Sequence, residues 1–254
     1  MNISILGLPQ SGKSTFLKSL LDISENDPLP DYCTVKVKDN RLNQVSKLLG
    51  HNNLTFPEIS FSELDILSLN SKSTDLKGIE SLQKSYGILL VIKCFDIDNT
   101  SKIQNDINEI VTELIVSDTI IIENVIERRL KSSKGKIKQE IESINSEIEL
   151  LKNLKEHLES GKALNSYKLN EGDTRKLAGY NLVTLKPIFV LLNSDTEIME
   201  MDETIKLKSD INYFLYPAKL EMELSELSED ESNEFRESLN IEKNLKYDLV
   251  QYLY

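Results

Sequence analysis

The sequence predicts an α/β fold: a three-layer sandwich with a mostly parallel sheet, carrying an inserted helical hairpin of coiled-coil character. Three observations carry this prediction. Apolar runs of strand length at Asn2–Leu6, Ile88–Phe95 and Ile188–Asn193 alternate with helical patterns. The first run passes at once into GLPQSGKS, residues 7–14, which fits G-x-x-x-x-G-K-[ST] between a strand and a helix. In the middle of the chain the apolar spacing changes to four and three, the helical heptad pattern.

Taken in order, Lys13–Leu21 has Phe16, Leu17, Leu20 and Leu21 on one face and reads as a helix. Residues 24–34 contain Asp27, Pro28, Pro30 and Asp31 and read as a loop. Glu58–Ile66 reads as a strand. Ile88–Phe95 (ILLVIKCF) and Ile188–Asn193 (IFVLLN) are nearly continuous apolar runs, as in strands covered on both faces. Tyr213–Tyr216 is a shorter one.

Ile122, Ile126 and Leu130, then Ile137, Ile141, Ile144, Ile148, Leu151 and Leu158, predict a hairpin over about 106–162, with its turn near Gly135. Two ordinary amphipathic helices lying on the sheet are the plainer alternative. After Ala218 an acidic stretch with Leu220, Leu224 and Leu227 on one side reads as helix with a solvated acidic face. The domain division expected is 1–100 with 180–254 as the nucleotide-binding domain and 101–179 as the inserted hairpin.

Composition narrows the function. The 254 residues carry a net charge of −12, which argues against binding DNA through bulk electrostatics. Two widely spaced cysteines, Cys33 and Cys94, point to a reducing, cytoplasmic setting rather than a disulfide framework. No apolar run approaches the roughly 20 residues needed to cross a bilayer, and no signal peptide is visible. A monomer is expected.

The glycine-rich segment is the most specific feature. Gly7 and Gly12 allow a tight turn that aims backbone N–H groups inward at the start of a helix, an anion cradle. Pro9, Gln10, Ser11, Gly12, Lys13, Ser14 and Thr15 would surround the phosphates. Lys13 would reach the β- and γ-phosphates, and the Ser14 hydroxyl would ligate Mg²⁺. The expectation is a phosphate-binding loop of the P-loop nucleoside triphosphatase type, with weak turnover or none. A glycine-rich turn that binds nothing is the bland alternative. A P-loop kinase is disfavoured because no arginine-rich lid segment follows.

GLPQSGKST is followed by YCT (Tyr32–Thr34), KDNRL (Lys38–Leu42), LVIKCF (Leu90–Phe95), LVTLKPIFVLLN (Leu182–Asn193) and PAKLEMELSEL (Pro217–Leu227). In this order these segments resemble the YchF family, the Obg-like ATPases of the translation-factor GTPase class. DINEIVTEL (Asp106–Leu114) and SDTIIIENVIERRL (Ser117–Leu130) are similar to that family's insertion helices. The departures are as informative. Several switch I residues are missing after Thr34. The family's DIAGL is matched by Asp65, Ile66, Leu67, Ser68 and Leu69, with serine in place of glycine. The family continues into a C-terminal TGS domain, which is expected to be absent here since the sequence ends at Tyr254.

The resemblance implies Asp65 as a catalytic acidic residue beside Lys13 and, with Ser14 and Thr34, as part of the metal site. It implies a hydrophobic residue, Leu69, where other P-loop hydrolases place a water-orienting glutamine. No replacement general base is evident: His51 lies in a polar loop and His157 on the hairpin, expected to face solvent. With Ser68 stiffening a hinge, slow turnover or none is expected.

By the same resemblance Phe95, Asn193 and Ser194 would line the base pocket, with Phe95 stacking. A guanine code needs a carboxylate three residues after Asn193. Thr196 stands there, and an unpaired guanine donor would cost on the order of 1–3 kcal/mol, so ATP is favoured over GTP.

The stretch Arg128–Lys138 gathers six basic residues at the hairpin turn. It could meet rRNA phosphates, and the family resemblance points to the ribosome; a solvated tip is the alternative. Two functions stay open: an Mg²⁺-dependent slow ATPase (or GTPase) that switches a ribosome- or stress-linked partner, and a catalytically degenerate nucleotide-binding module whose hairpin binds a partner.

Overall fold

The computed structural model describes residues 1–30, 33–38, 40–50, 55–64, 81–95, 101–132, 138–195, 212–239, 241 and 245–254. Six strands form one sheet: β1 (Asn2–Leu6), β2 (Cys33–Lys36), β3 (Glu58–Glu63), β4 (Gly87–Cys94), β5 (Ile188–Ser194) and β6 (Tyr213–Tyr216). Their order is β2-β3-β1-β4-β5-β6. Every neighbouring pair is parallel except β2 with β3. The chain leaves β1 for one side of the sheet (β3) and later returns to its other side (β4). That reversal beside β1 is where an open α/β sheet leaves a crevice at its carboxyl edge.

The principal α-helices described are α1 (Lys13–Leu21), α2 (Asn40–Leu49), α3 (Ser101–Ser132), α4 (Lys138–Glu159), α5 (Glu171–Leu177), α6 (Ala218–Ser225), α7 (Glu229–Ser238) and α8 (Leu245–Leu253). The period-2 alternation of the strands sorts their side chains into two layers. Ile3, Ile5, Ile59, Phe61, Leu89, Val91 and Leu191 pack with Phe16, Leu17 and Leu20 of α1 and with Leu249, Val250 and Leu253 of α8. Leu6, Ile88, Leu90, Ile92, Val190 and Leu192 pack on the opposite face against Ile103, Ile107, Ile110 and Leu114 of α3. The nearly unbroken apolar runs of β4 and β5 are thus buried on both faces, the condition that a central parallel strand imposes.

The long helix α3 serves two cores. Its first half covers the sheet, and its second half, with Ile122 and Val125, packs on Leu151, Leu154 and Leu158 of α4. The hairpin is therefore continuous with the sheet layer and begins at Ser101, earlier than the spacing predicts. The heptad expectation holds for Ile144, Ile148, Leu151 and Leu158, which are buried, and fails at Leu130, which is 53% exposed. Gly135 lies outside the described residues.

Asp118, fully buried on α3, ties the hairpin to the segment entering β5. Its carboxylate accepts the Val183 N–H at 2.8 Å, the Thr184 N–H at 2.7 Å and the Thr184 hydroxyl at 2.6 Å. Lys186 Nζ donates to the carbonyls of Gln83, at 2.7 Å, and Ser85. The polar positions of the LVTLKP segment thus hold β4, β5 and the hairpin in one arrangement.

Some local expectations are corrected. The loop expected through residue 34 gives way at Cys33 to β2, because pairing with β3 supplies what local propensity does not. Asn40–Leu49 is helical, an element that no sequence pattern singles out. In the acidic tail, Met222 and Leu224 are buried, whereas Leu227 is 43% exposed, and Glu221 is buried rather than solvated. Of the strand expected over Glu58–Ile66, the part through Glu63 is β3, and Ile66 lies outside the described residues.

Candidate nucleotide site

Backbone strain and close approach shape the turn between β1 and α1. Gly12 caps α1 with φ 87° and ψ 23°, a left-handed conformation in which a side chain is rare. A Cβ at Gly12 would also lie 2.1 Å from Asn193 Nδ2, and one at Gly7 would lie 2.5 Å from the Val91 carbonyl oxygen. Gln10 adopts φ 63°. The loop therefore wraps tightly over the carboxyl end of the sheet, with α1 starting from its last turn.

Lys13 is 7% exposed and folds back over this loop. Its ammonium donates to the carbonyls of Gly7 at 3.0 Å and Leu8 at 3.2 Å. Ser11 is buried, and its hydroxyl has no partner among the described residues. Pro9, Gln10 and Ser14 are exposed along the loop, and Thr15 is half-buried on the pocket side. The Ser14 hydroxyl donates to the Glu63 carboxylate, 3.3 Å from one oxygen and 3.5 Å from the other.

Beside the loop opens a cavity of about 660 Å³. Gly12 and Thr15 form one wall, and Phe95, Asn193 and Ser194 come from the ends of β4 and β5. Pro217, Lys219 and Met222 come from the β6–α6 turn and α6, and Phe235 and Leu239 come from the end of α7. Lys93 Nζ sits 4.5 Å from the Phe95 ring centroid, a cation–π contact that fixes one face of the ring. The Ser194 hydroxyl is buried at the cavity without a partner among the described residues.

Asn193 joins the two halves of the site. Its amide Nδ2 donates to the Ser11 carbonyl at 3.0 Å, and its Oδ1 accepts the Ala218 N–H at 3.2 Å. Its first role is thus to brace the glycine loop against the start of α6. The position of α7 comes from a buried ion pair: Arg236 donates bidentately to Glu221, 2.8 Å at each nitrogen. That pair brings Phe235, 48% exposed, to the cavity rim.

Burial, and secondarily the Asp195 charge, pushes the Cys94 thiol up to about 11. Burial first and then Glu63 raise the Cys33 thiol. Both cysteines behave as core residues.

The structure brings together Gly12, Thr15, Phe95, Asn193 and Ser194, and places Lys13 and Ser14 on the adjoining loop and helix. It does not bring Thr34 there. Thr34 pairs with Ser60 in register, and its hydroxyl lies 3.3 Å from that of Ser60. Ser60 alternates with Ile59 and Phe61, which face α1, so Thr34 points to the face opposite Ser14. Asp65, Ser68, Leu69, Thr196 and His51 lie outside the described residues. His157 does not simply face solvent: its Nε2 lies 2.9 Å from the Ser166 hydroxyl, and its ring packs edge-on against Tyr167.

At the hairpin turn, Arg129 is bonded to Tyr180 and Glu147, and Lys131 to Glu127. Arg128 Nε donates to the Asn124 carbonyl. Lys134 and Lys136 lie outside the described residues. The sequence reading missed Glu63, Lys219, Phe235 and Leu239. Lys219 lies in the PAKLEMELSEL segment without standing out there, the other three belong to no motif, and the packing of β3, α6 and α7 around the loop reveals all four.

No protein-family model matches the chain. Curated relatives do. The Ribosome-binding ATPase YchF of Buchnera aphidicola is 28% identical over 261 residues, covering 93% of this chain and 70% of the relative. That of Bacillus subtilis is 27% identical over 269 residues, covering 96% of this chain and 72% of the relative. The solved structure of the Schizosaccharomyces pombe YchF GTPase superposes with a TM-score of 0.78 at 19% identity, covering 99% of this chain and 74% of that one. The chain is thus similar to the YchF ATPases along more than nine-tenths of its sequence and shares the fold of a YchF GTPase.

Proposed function

We propose that this chain is a purine nucleotide-binding protein, Mg²⁺-dependent, with slow hydrolysis of ATP in preference to GTP, acting as a ribosome-linked switch. The observation that carries it is the joint made by Asn193, which couples a strained glycine loop to a cavity large enough for a nucleoside. The names of the YchF relatives support both the ATPase and the ribosome parts.

The residues fit the ligand. The loop's curvature at Gly7 and Gly12 leaves no room for side chains, so backbone can close on phosphate oxygens. Among the described residues Lys13 is held over the loop by two carbonyls, contacts that an anionic phosphate would replace with a stronger, charge-assisted one. Phe95 offers an aromatic face to a base, and the buried Ser194 hydroxyl offers it a hydrogen bond. A divalent metal at Ser14 would neutralise phosphate charge during transfer to water. Lys13 would hold the same charge from the other side.

Calorimetric titration with ATP, ADP, GTP and GDP in Mg²⁺, with Lys13→Ala as control, tests the proposal. Adenine nucleotides should bind more tightly than guanine nucleotides, and Lys13→Ala should weaken triphosphates more than diphosphates. A folded protein that takes up none of the four at millimolar concentration would refute it. Binding without phosphate release would leave the nucleotide as a conformational ligand. Salt-dependent co-sedimentation with ribosomal subunits, lost on reversing the charges of Arg128 and Lys131, tests the partner.

A further inference from the structure

Glu63 ends β3 in a fixed position. It stands in register with Ile5 on β1, and the Leu64 N–H that follows donates to the Ile5 carbonyl at 3.0 Å. Its side chain shares the sheet face of Ile59 and Phe61, the face that α1 covers, and there it meets the Ser14 hydroxyl. Both residues are exposed, so an ion can reach them from solvent. The charge of Glu63 is felt at the neighbouring Cys33, whose thiol it helps to raise.

A carboxylate beside the phosphate loop has two opposite effects. Without a cation it repels a polyphosphate and occupies the hydroxyl on which a metal would sit. With a divalent cation present, the same carboxylate attracts the ion and helps keep it at Ser14.

We infer that Glu63 is a metal-holding carboxylate of the nucleotide site, paired with Ser14, and that it makes nucleotide uptake conditional on a divalent cation. The inference rests on the nucleotide-binding proposal above. It assigns the condition to a residue outside the glycine-loop motif and two positions before Asp65.

The test is a thermodynamic cycle on the full chain. ATP affinity is measured calorimetrically in EDTA and in Mg²⁺ for the wild type, Glu63→Gln and Glu63→Ala. Thermal unfolding of each sample is the fold control, and Mn²⁺ electron paramagnetic resonance is a second readout. The expected result is that both variants bind metal-free ATP at least as well as the wild type. The gain in affinity on adding Mg²⁺ should shrink about tenfold or more, and the bound-Mn²⁺ signal should weaken. An Mg²⁺ gain equal to that of the wild type in both variants would overturn the inference while leaving nucleotide binding intact. A wild type that binds no ATP in either buffer would overturn the nucleotide proposal and this inference together.

Discussion

Asn193 Nδ2 donates to the Ser11 carbonyl at 3.0 Å across 182 residues of chain, welding the end of β5 to the glycine loop. Its Oδ1 meanwhile accepts from Ala218 at 3.2 Å, so one buried amide satisfies two backbone groups that would otherwise be orphaned. Asn193→Ala should therefore cost about 1–3 kcal/mol of stability. It should also weaken ATP binding by loosening the loop. Urea unfolding and titration of the same samples check both, and an unchanged midpoint would contradict the bracing role.

Gly12→Ala tests the loop geometry. The left-handed φ and the 2.1 Å approach to Asn193 Nδ2 leave no relaxed position for a methyl group. A loss of nucleotide binding larger than the loss of stability is expected, because the strain falls on the loop and its joint rather than on the core. Gly161, also at positive φ but with nothing near its Cβ, is the matched control. Gly161→Ala should cost stability alone.

Arg236 and Glu221 are nearly enclosed, with side-chain exposures of 18% and 3%. Removing one partner leaves a buried charge, so Arg236→Ala should lose on the order of 3–5 kcal/mol. The double change Arg236→Met with Glu221→Leu should recover most of it. Phe235→Ala, which removes an exposed ring at the cavity rim, should lower nucleotide affinity with little effect on the melting temperature.

Cys94 carries a pH dependence. Burial raises its folded thiol from 9.0 to about 11, while the unfolded chain keeps the ordinary value. The raised value favours the neutral thiol in the folded state. Its stabilising contribution is thus full below about pH 9 and is lost as pH rises towards about 11. Alkylation by iodoacetamide at pH 8 should label Cys94 only after denaturation. Rapid labelling of the native protein would contradict its burial.

Much of the architecture was legible in the sequence because it rests on local rules. The short, nearly unbroken apolar runs of β4 and β5 read as strands covered on both faces, and Gly12 before Lys13 marks a helix start at a tight turn. The spacing of Ile144, Ile148, Leu151 and Leu158 likewise determined the inner face of α4. These features depend on the period of the chain, and period is a property of sequence.

What only the tertiary structure decided is which residues from distant segments meet. Thr34 reads as a plausible metal ligand, yet its pairing with Ser60 turns it to the wrong face of the sheet. Glu63 belongs to no motif, and strand register alone carries it to Ser14. Asn193 reads as a base contact, and the fold also makes it a brace through its hydrogen bonds to Ser11 and Ala218. Glu221 looks like one more solvated acid until Arg236 folds onto it. The physical reason is common to all four: an alternation of two sets a side chain's face only once the partner strand and its register exist, and a charge has a partner only once the chain has closed on itself.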